Sequence, residues 1–145
     1  MRSRRIAFST IAALLISSVS SLSHDAAAIA ASTAGTVEFS SAANGAVQEL
    51  GVKLIGVSRT GGSSGAASVL CRTANGTATS GANYTAVSET LSWANGDSTV
   101  KYCRVQISDA APFAGQKTFA MHLSGATGAA VGTPASTTNS VFAVP

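Results

Sequence analysis

The chain has 145 residues, enough for one domain of ordinary size with a single hydrophobic core. Charged residues make up only 10% of it, while glycine, alanine, serine and threonine abound, which favours an all-β protein over a helical bundle. Three of the nine basic residues lie among the first five positions, so the remainder is nearly neutral and no nucleic-acid partner is expected.

The first 30 residues have the pattern of a secretory signal peptide. A basic start precedes an apolar stretch from Ile6 to about Val19, and small residues follow, with cleavage expected after Ala28 or Ala30. The apolar stretch is shorter than the roughly 20 residues that a membrane-spanning helix needs, and an uncleaved anchor is the alternative. We therefore expect a secreted, periplasmic or cell-surface protein, with its domain at residues 31–145 and no membrane span after cleavage.

Short strand-like runs separated by glycine, asparagine and serine turns begin at Thr36. Residues 36–39 predict a first strand, which residues 47–49 continue after a turn at Asn44-Gly45. In the next strand, residues 52–59, the apolar positions change phase between Leu54 and Ile55, which predicts burial of both faces or a β-bulge. The loop at 60–65 should then form a hairpin with a strand at 67–73.

In the later strand-like runs, apolar and polar residues alternate. Leu91 and Trp93 should face inward, and Asn95-Gly96 predicts a hairpin leading into a strand at 98–108. Residues 117–124 place Phe119, Met121 and Leu123 on one face and His122 in solvent, and residues 137–144 form the closing strand. The expected fold is an all-β, two-sheet antiparallel immunoglobulin-like sandwich of about seven strands, without a repeat or second domain.

The only cysteines of the chain are Cys71 and Cys103. In an exported protein an even pair favours one disulfide, and two buried unpaired thiols are the alternative. Alternation places Cys71 on the same face as Val69, and Cys103 on the same face as Val105. Both sulfur atoms should therefore point into the core.

Residues 71–84, CRTANGTATSGANY, resemble the signature of the Calx-beta domain family. The matching positions are a strand ending at Thr73, the turn Asn75-Gly76, Thr77-Ala78, Gly81, and Asn83-Tyr84 where the family usually has Asp-Tyr. The order continues through Arg59, Leu91 to Trp93 and Phe119 to Ser124, so the resemblance spans about residues 35–144. It implies a Calx-beta sandwich in which the strands of Cys71 and Cys103 belong to opposite sheets, joined by the disulfide.

The resemblance also implies a degenerate calcium site. Calcium-binding members use several loop carboxylates, and calcium takes six to eight oxygen ligands. This chain retains Glu49 and Asp109, whereas the other positions hold uncharged or basic residues: Asn83, Ala110, Ala114 and Lys117. Two carboxylates are too few and an ammonium group repels a dication, so no calcium or other cofactor is expected. Lys117 either pairs with Glu49 or Asp109, or all three side chains are separately solvated.

No catalytic constellation accompanies these residues. The expected mature chain has one histidine, few carboxylates and no motif that joins them. We expect a non-enzymatic binding or structural module that contacts a protein or another envelope or matrix component, as Calx-beta domains of adhesion proteins do. The alternative is a calcium-responsive regulatory or adhesion module whose missing ligands come from water or a partner chain.

Overall fold

A computed structural model of the protein describes residues 33–47, 51–108, 111 and 113–143. The predicted leader, Glu49 and Asp109 lie outside the described residues. In the described part, no helix has the length and apolar character needed to cross a membrane.

Nine strands run through the described residues: β1 (Thr36–Phe39), β2 (Ala43–Val47), β3 (Val52–Thr60), β4 (Ala67–Asn75), β5 (Ser88–Trp93), β6 (Lys101–Gln106), β7 (Gln116–Thr127), β8 (Ala130–Val131) and β9 (Ser136–Phe142). One sheet has the order β6-β3-β1-β8, and the other has the order β2-β9-β7-β4-β5. The all-β, two-sheet fold is confirmed. The sheets are mixed, however, because β8 pairs parallel to β1 and β2 pairs parallel to β9 at their edges.

Two connections that were predicted as hairpins cross between the sheets instead. Strand β3 pairs with β1 and β6, whereas β4 pairs with β5 and β7, so the loop after Thr60 changes layer. Strands β5 and β6 also lie in different sheets, although Asn95-Gly96 forms a tight turn with Gly96 at a φ of 82°. An Asn-Gly turn reverses the chain locally, but burial of the strands' inner faces decides which sheet the next strand joins.

The predicted turn at Asn44-Gly45 is also wrong. Both residues lie within β2, opposite Asn139 and Ser140 of β9. The Asn44 side-chain amide donates to Thr137 Oγ1 at 3.1 Å. Pairing with β9 keeps this segment extended, so it forms an edge strand of the second sheet.

Strand β3 alternates without a bulge, and one of its faces is open to solvent. Lys53, Ile55, Val57 and Arg59 are buried, whereas Leu54 is 50% exposed. Both predicted explanations of its apolar pattern were therefore wrong. The apolar pattern gave the wrong prediction because two long cationic side chains, Lys53 and Arg59, take inward positions near the ends of the strand. There the aliphatic part of each side chain can be buried while its charged end reaches polar partners or water.

The core lies between the sheets and contains the predicted inward residues. Leu91, Trp93, Phe119 and Met121 are buried, while His122 is exposed on the outer face of β7. Burying each large apolar side chain contributes roughly 1.5–3 kcal/mol. The Cys71–Cys103 disulfide crosses this core from β4 to β6 with a Cα–Cα distance of 6.5 Å, which confirms the expected bridge between sheets.

Candidate functional site

The corner between β4 and β5, residues 76–84, is built onto the start of β7. Ala78 is fully buried, and its N–H donates to the Thr118 carbonyl at 2.8 Å. The Thr118 N–H donates in turn to Thr77 Oγ1 at 2.8 Å. A side chain at position 76 would collide with the Thr118 carbonyl oxygen, so this close approach requires Gly76. The signature residues thus fix the corner against β7.

Tyr84 anchors the end of this corner in the core. Its ring stacks on Phe119 with centroids 4.5 Å apart, and its hydroxyl donates to Asn75 Oδ1 at 2.6 Å. Burial raises the pKa of the Tyr84 phenol. The same Asn75 oxygen accepts from the Ser80 N–H at 2.9 Å. Asn75 therefore connects the start of the corner to its middle at Ser80 and to its end at Tyr84.

Asn83 is completely buried between the corner, the end of β6 and the start of β7. Its backbone is held on both sides, with its N–H donating to the Thr79 carbonyl at 2.9 Å and its carbonyl accepting from Ser108 at 3.0 Å. Its side-chain Oδ1 accepts from the Thr79 N–H at 3.1 Å and from Lys117 Nζ at 3.4 Å. Its Nδ2 is buried and has no hydrogen-bond partner among the described residues.

Lys117 reaches this amide from the second residue of β7, on the same strand face as buried Phe119. Its Nζ also lies 5.1 Å from the centroid of the Phe113 ring, within the range of a cation–π contact. The predicted pairing of Lys117 with Glu49 or Asp109 stays a prediction, since neither acid is described. The contacts with Asn83 and Phe113 were not predicted, although the resemblance had placed residues 83 and 117 at positions of one site.

The described residues do not fit a calcium ion. They contain no group of three or more His, Cys, Asp or Glu side chains that could hold a metal. The side-chain oxygen that Asn83 offers already accepts two hydrogen bonds, one of them from an ammonium group. Calcium takes six to eight oxygen ligands, usually with several carboxylates, whereas the described residues around Asn83 present the ammonium group of Lys117.

A second surface feature lies on the outer face of β3 and β6. Four large apolar side chains are between 43% and 50% exposed: Val52 and Leu54 of β3, Tyr102 of β6, and Val100 just before β6. Strand β6 is also the edge strand of its sheet. Clustered apolar exposure of this kind is typical of interaction surfaces.

Comparison with known proteins points to one family. The family model described as the Calx-beta domain matches residues 31–143. The apo form of the Calx CBD1 domain is a similar structure, with a TM-score of 0.69, 22% identity, and coverage of 76% of this chain and 99% of that chain. The calcium binding domain CBD12 of CALX1.1 has a TM-score of 0.69 at 23% identity, covering 74% of this chain and 45% of that chain. The Calx CBD2 domain has a TM-score of 0.68 at 15% identity, covering 73% of this chain and 85% of that chain. None of the curated proteins matches the sequence.

Proposed function

Because the chain belongs to the Calx-beta domain family, we propose that it is a secreted or envelope-associated, non-enzymatic structural and binding module that works without calcium. One contact carries the proposal: the Lys117 ammonium group lies against Asn83 Oδ1, where the family usually has a ligand carboxylate. A positive charge at this place repels a divalent cation. The neutral carboxamide supplies no compensating charge.

The cross-sheet disulfide supports this role. It joins β4 to β6 through the core, so the two layers are tied together without a metal ion. A disulfide persists in oxidising compartments, which agrees with the predicted export of the chain. The disulfide and the side-chain contacts of the corner therefore stabilise the fold without an ion.

Calcium titration tests the proposal. The thermal unfolding midpoint of the oxidised protein should be unchanged by millimolar calcium and by subsequent chelation, because a ligand that does not bind the folded state cannot stabilise it. The variant that combines Asn83→Asp with Lys117→Glu restores two carboxylates and serves as the positive comparison. A calcium-dependent rise of the midpoint in the wild-type protein, reversed by chelator, would refute the proposal and favour a calcium-responsive module.

The binding role has its own support in the exposed apolar residues of β3 and β6. We infer a protein partner with an apolar face in the envelope or matrix, since such a face gains most by covering Leu54 and Tyr102. The test compares capture of envelope proteins by the wild type and by a Leu54→Ser, Tyr102→Ser variant. A Thr90→Ala, Thr138→Ala variant, altered on the exposed outer face of the other sheet, is the matched control. Equal capture of the same protein by all three would contradict a role for this surface.

A further inference from the structure

The contact between Lys117 and Asn83 brings an amine next to a buried carboxamide. Nζ lies 3.4 Å from Oδ1. Because a carbonyl bond is about 1.23 Å long, the carbon atom that carries this oxygen lies within about 4.6 Å of Nζ. The distance from Nζ to Oδ1 is long for an N–H···O hydrogen bond, which usually measures about 2.7–3.2 Å. The contact is therefore a weak hydrogen bond, but it keeps the amine and the carboxamide next to each other.

The surroundings favour attack on the Asn83 carboxamide. The Thr79 backbone N–H donates to Oδ1 at 3.1 Å and keeps this position when the lysine nitrogen turns to the carbon. Donors directed at a carbonyl oxygen polarise it and stabilise the negative charge that develops during attack on its carbon. The Nδ2 atom, which would leave, is buried and is held by no hydrogen bond among the described residues. Loss of this nitrogen therefore breaks no contact.

The lysine is held in position on its other side. The Phe113 ring lies 5.1 Å from Nζ, and the strand alternation of β7 directs Lys117 towards the core beside Phe119. The backbone of Asn83 is fixed by its bonds to Thr79 and Ser108. An amine and an acyl group that are both held in place react as if at very high local concentration.

We propose that Lys117 and Asn83 form an intramolecular isopeptide bond. The bond between Nζ and Cγ of Asn83 forms, and the bond between Cγ and Nδ2 breaks. Two protons of the lysine ammonium group pass to the departing nitrogen, one before the attack and one as the bond to Nδ2 breaks, and that nitrogen leaves as an ammonium ion, so atoms and charge balance without a redox change or a co-reactant. The product is a neutral amide that is lighter than the unreacted chain by the mass of ammonia, about 17 Da.

The reaction happens once in each molecule and modifies the protein itself, so it is compatible with a non-enzymatic module. It rests on the proposed function and deepens it: before the bond forms the Lys117 ammonium group repels a dication, and afterwards residues 83 and 117 share a neutral amide that offers calcium no carboxylate. The two ideas fail separately. If the protein is not linked and does not respond to calcium, only the isopeptide proposal is refuted. If the protein is linked and does respond to calcium, only the proposed loss of calcium binding is refuted.

Intact-mass measurement of the purified full-length gene product under reducing conditions tests the link. We expect a mass about 17 Da below that of the reduced, processed sequence. Digestion with a protease should release one branched peptide that contains both Lys117 and Asn83, identified by tandem mass spectrometry. Full mass with the two peptides recovered separately would overturn the proposal, and so would hydrolysis of Asn83 to aspartate without a link.

Two variants complete the test. Lys117→Arg keeps the positive charge but removes the amine nucleophile, so the ammonia deficit should disappear. Lys101→Arg is the matched control, because Lys101 pairs with Asp97 at 2.9 Å, and the deficit should persist in it. A deficit that remains in Lys117→Arg, or one that is lost in Lys101→Arg, contradicts the assignment to Lys117. The tandem spectra of the wild-type protein decide the question even if the Lys117 variant folds poorly.

Discussion

Arg59 is the most informative residue to change at the end of the sandwich opposite the corner. It is 3% exposed, and its guanidinium donates five hydrogen bonds to backbone carbonyls. Two of them go to Ala34 at 3.1 and 2.8 Å, and the others go to Ser64 at 3.1 Å, Gly65 at 3.0 Å and Asp97 at 3.3 Å. One side chain therefore joins the segment before β1, the loop after β3 and the turn after β5.

The substitution Arg59→Met keeps the stem of the side chain and removes all five bonds. A hydrogen bond to a charged group contributes about 1.5–3 kcal/mol, but these values do not add here, because water can reach the carbonyls of exposed Ser64 and Gly65. We expect the free energy of unfolding to fall by about 3–5 kcal/mol, which is typical of breaking a buried charged network. Arg59→Lys should lose about half as much, since an ammonium group has three donors in a compact arrangement.

Urea unfolding of the oxidised protein measures both losses. The matched control is Arg72→Met on the exposed outer face of β4, where a surface change should cost no more than about 0.5 kcal/mol. If Arg59→Met and Arg72→Met have the same unfolding free energy, the carbonyl contacts of Arg59 contribute nothing and the reasoning is wrong. If Arg59→Met lowers the free energy of unfolding as expected and Arg59→Lys lowers it equally, the effect comes from the geometry of the guanidinium alone.

Three further changes have definite outcomes. Replacing Cys71 and Cys103 by alanine should lower the unfolding free energy by about 4 kcal/mol, since the bridge closes a loop over a separation of 32 residues, and a loss below about 1 kcal/mol in urea would contradict this. Hydrogen bonds from Lys101 and Thr99 lower the pKa of Asp97 from 3.8 to about 2. The wild type should therefore lose stability relative to Asp97→Asn as the pH falls from 3.8 to 2, whereas parallel acid unfolding curves would contradict the shift. Burial lowers the pKa of Lys53 below 10.5. Lys53→Met should therefore be more stable than the wild type at pH 7, by a margin that narrows as the pH rises towards 10.5.

The faces of the later strands could be predicted because apolar residues there alternate cleanly. Phe119, Met121 and Leu123 on β7 follow a strict period of two, and all are buried. The sheet that each strand joins could not be predicted in this way. The Asn95-Gly96 turn specifies a local reversal, while the partners of β5 and β6 are set by packing across the whole core.

The candidate site could be predicted only as a set of positions. The resemblance placed Asn83 and Lys117 at one site, but the direct contact depends on how the lysine side chain packs beside Phe113. Sequence patterns carry no such information about rotamers. Patterns of apolar residues also failed on β3, because buried Lys53 and Arg59 do not register as inward-facing in a hydrophobic count.

The disulfide and the isopeptide bond constrain overlapping parts of the chain, and this has a measurable consequence. The first joins residues 71 and 103, and the second joins residues 83 and 117, so both closed loops contain residues 83–103. On the chain-entropy model each closure alone stabilises by about 4 kcal/mol, but two closures that restrict the same residues add less than their sum. Lys117→Arg should therefore destabilise the reduced protein more than the oxidised protein when unfolding in urea is followed in both states. A cost of equal size in the two states would show that the two bonds act on the unfolded chain independently, against the overlap that the structure implies.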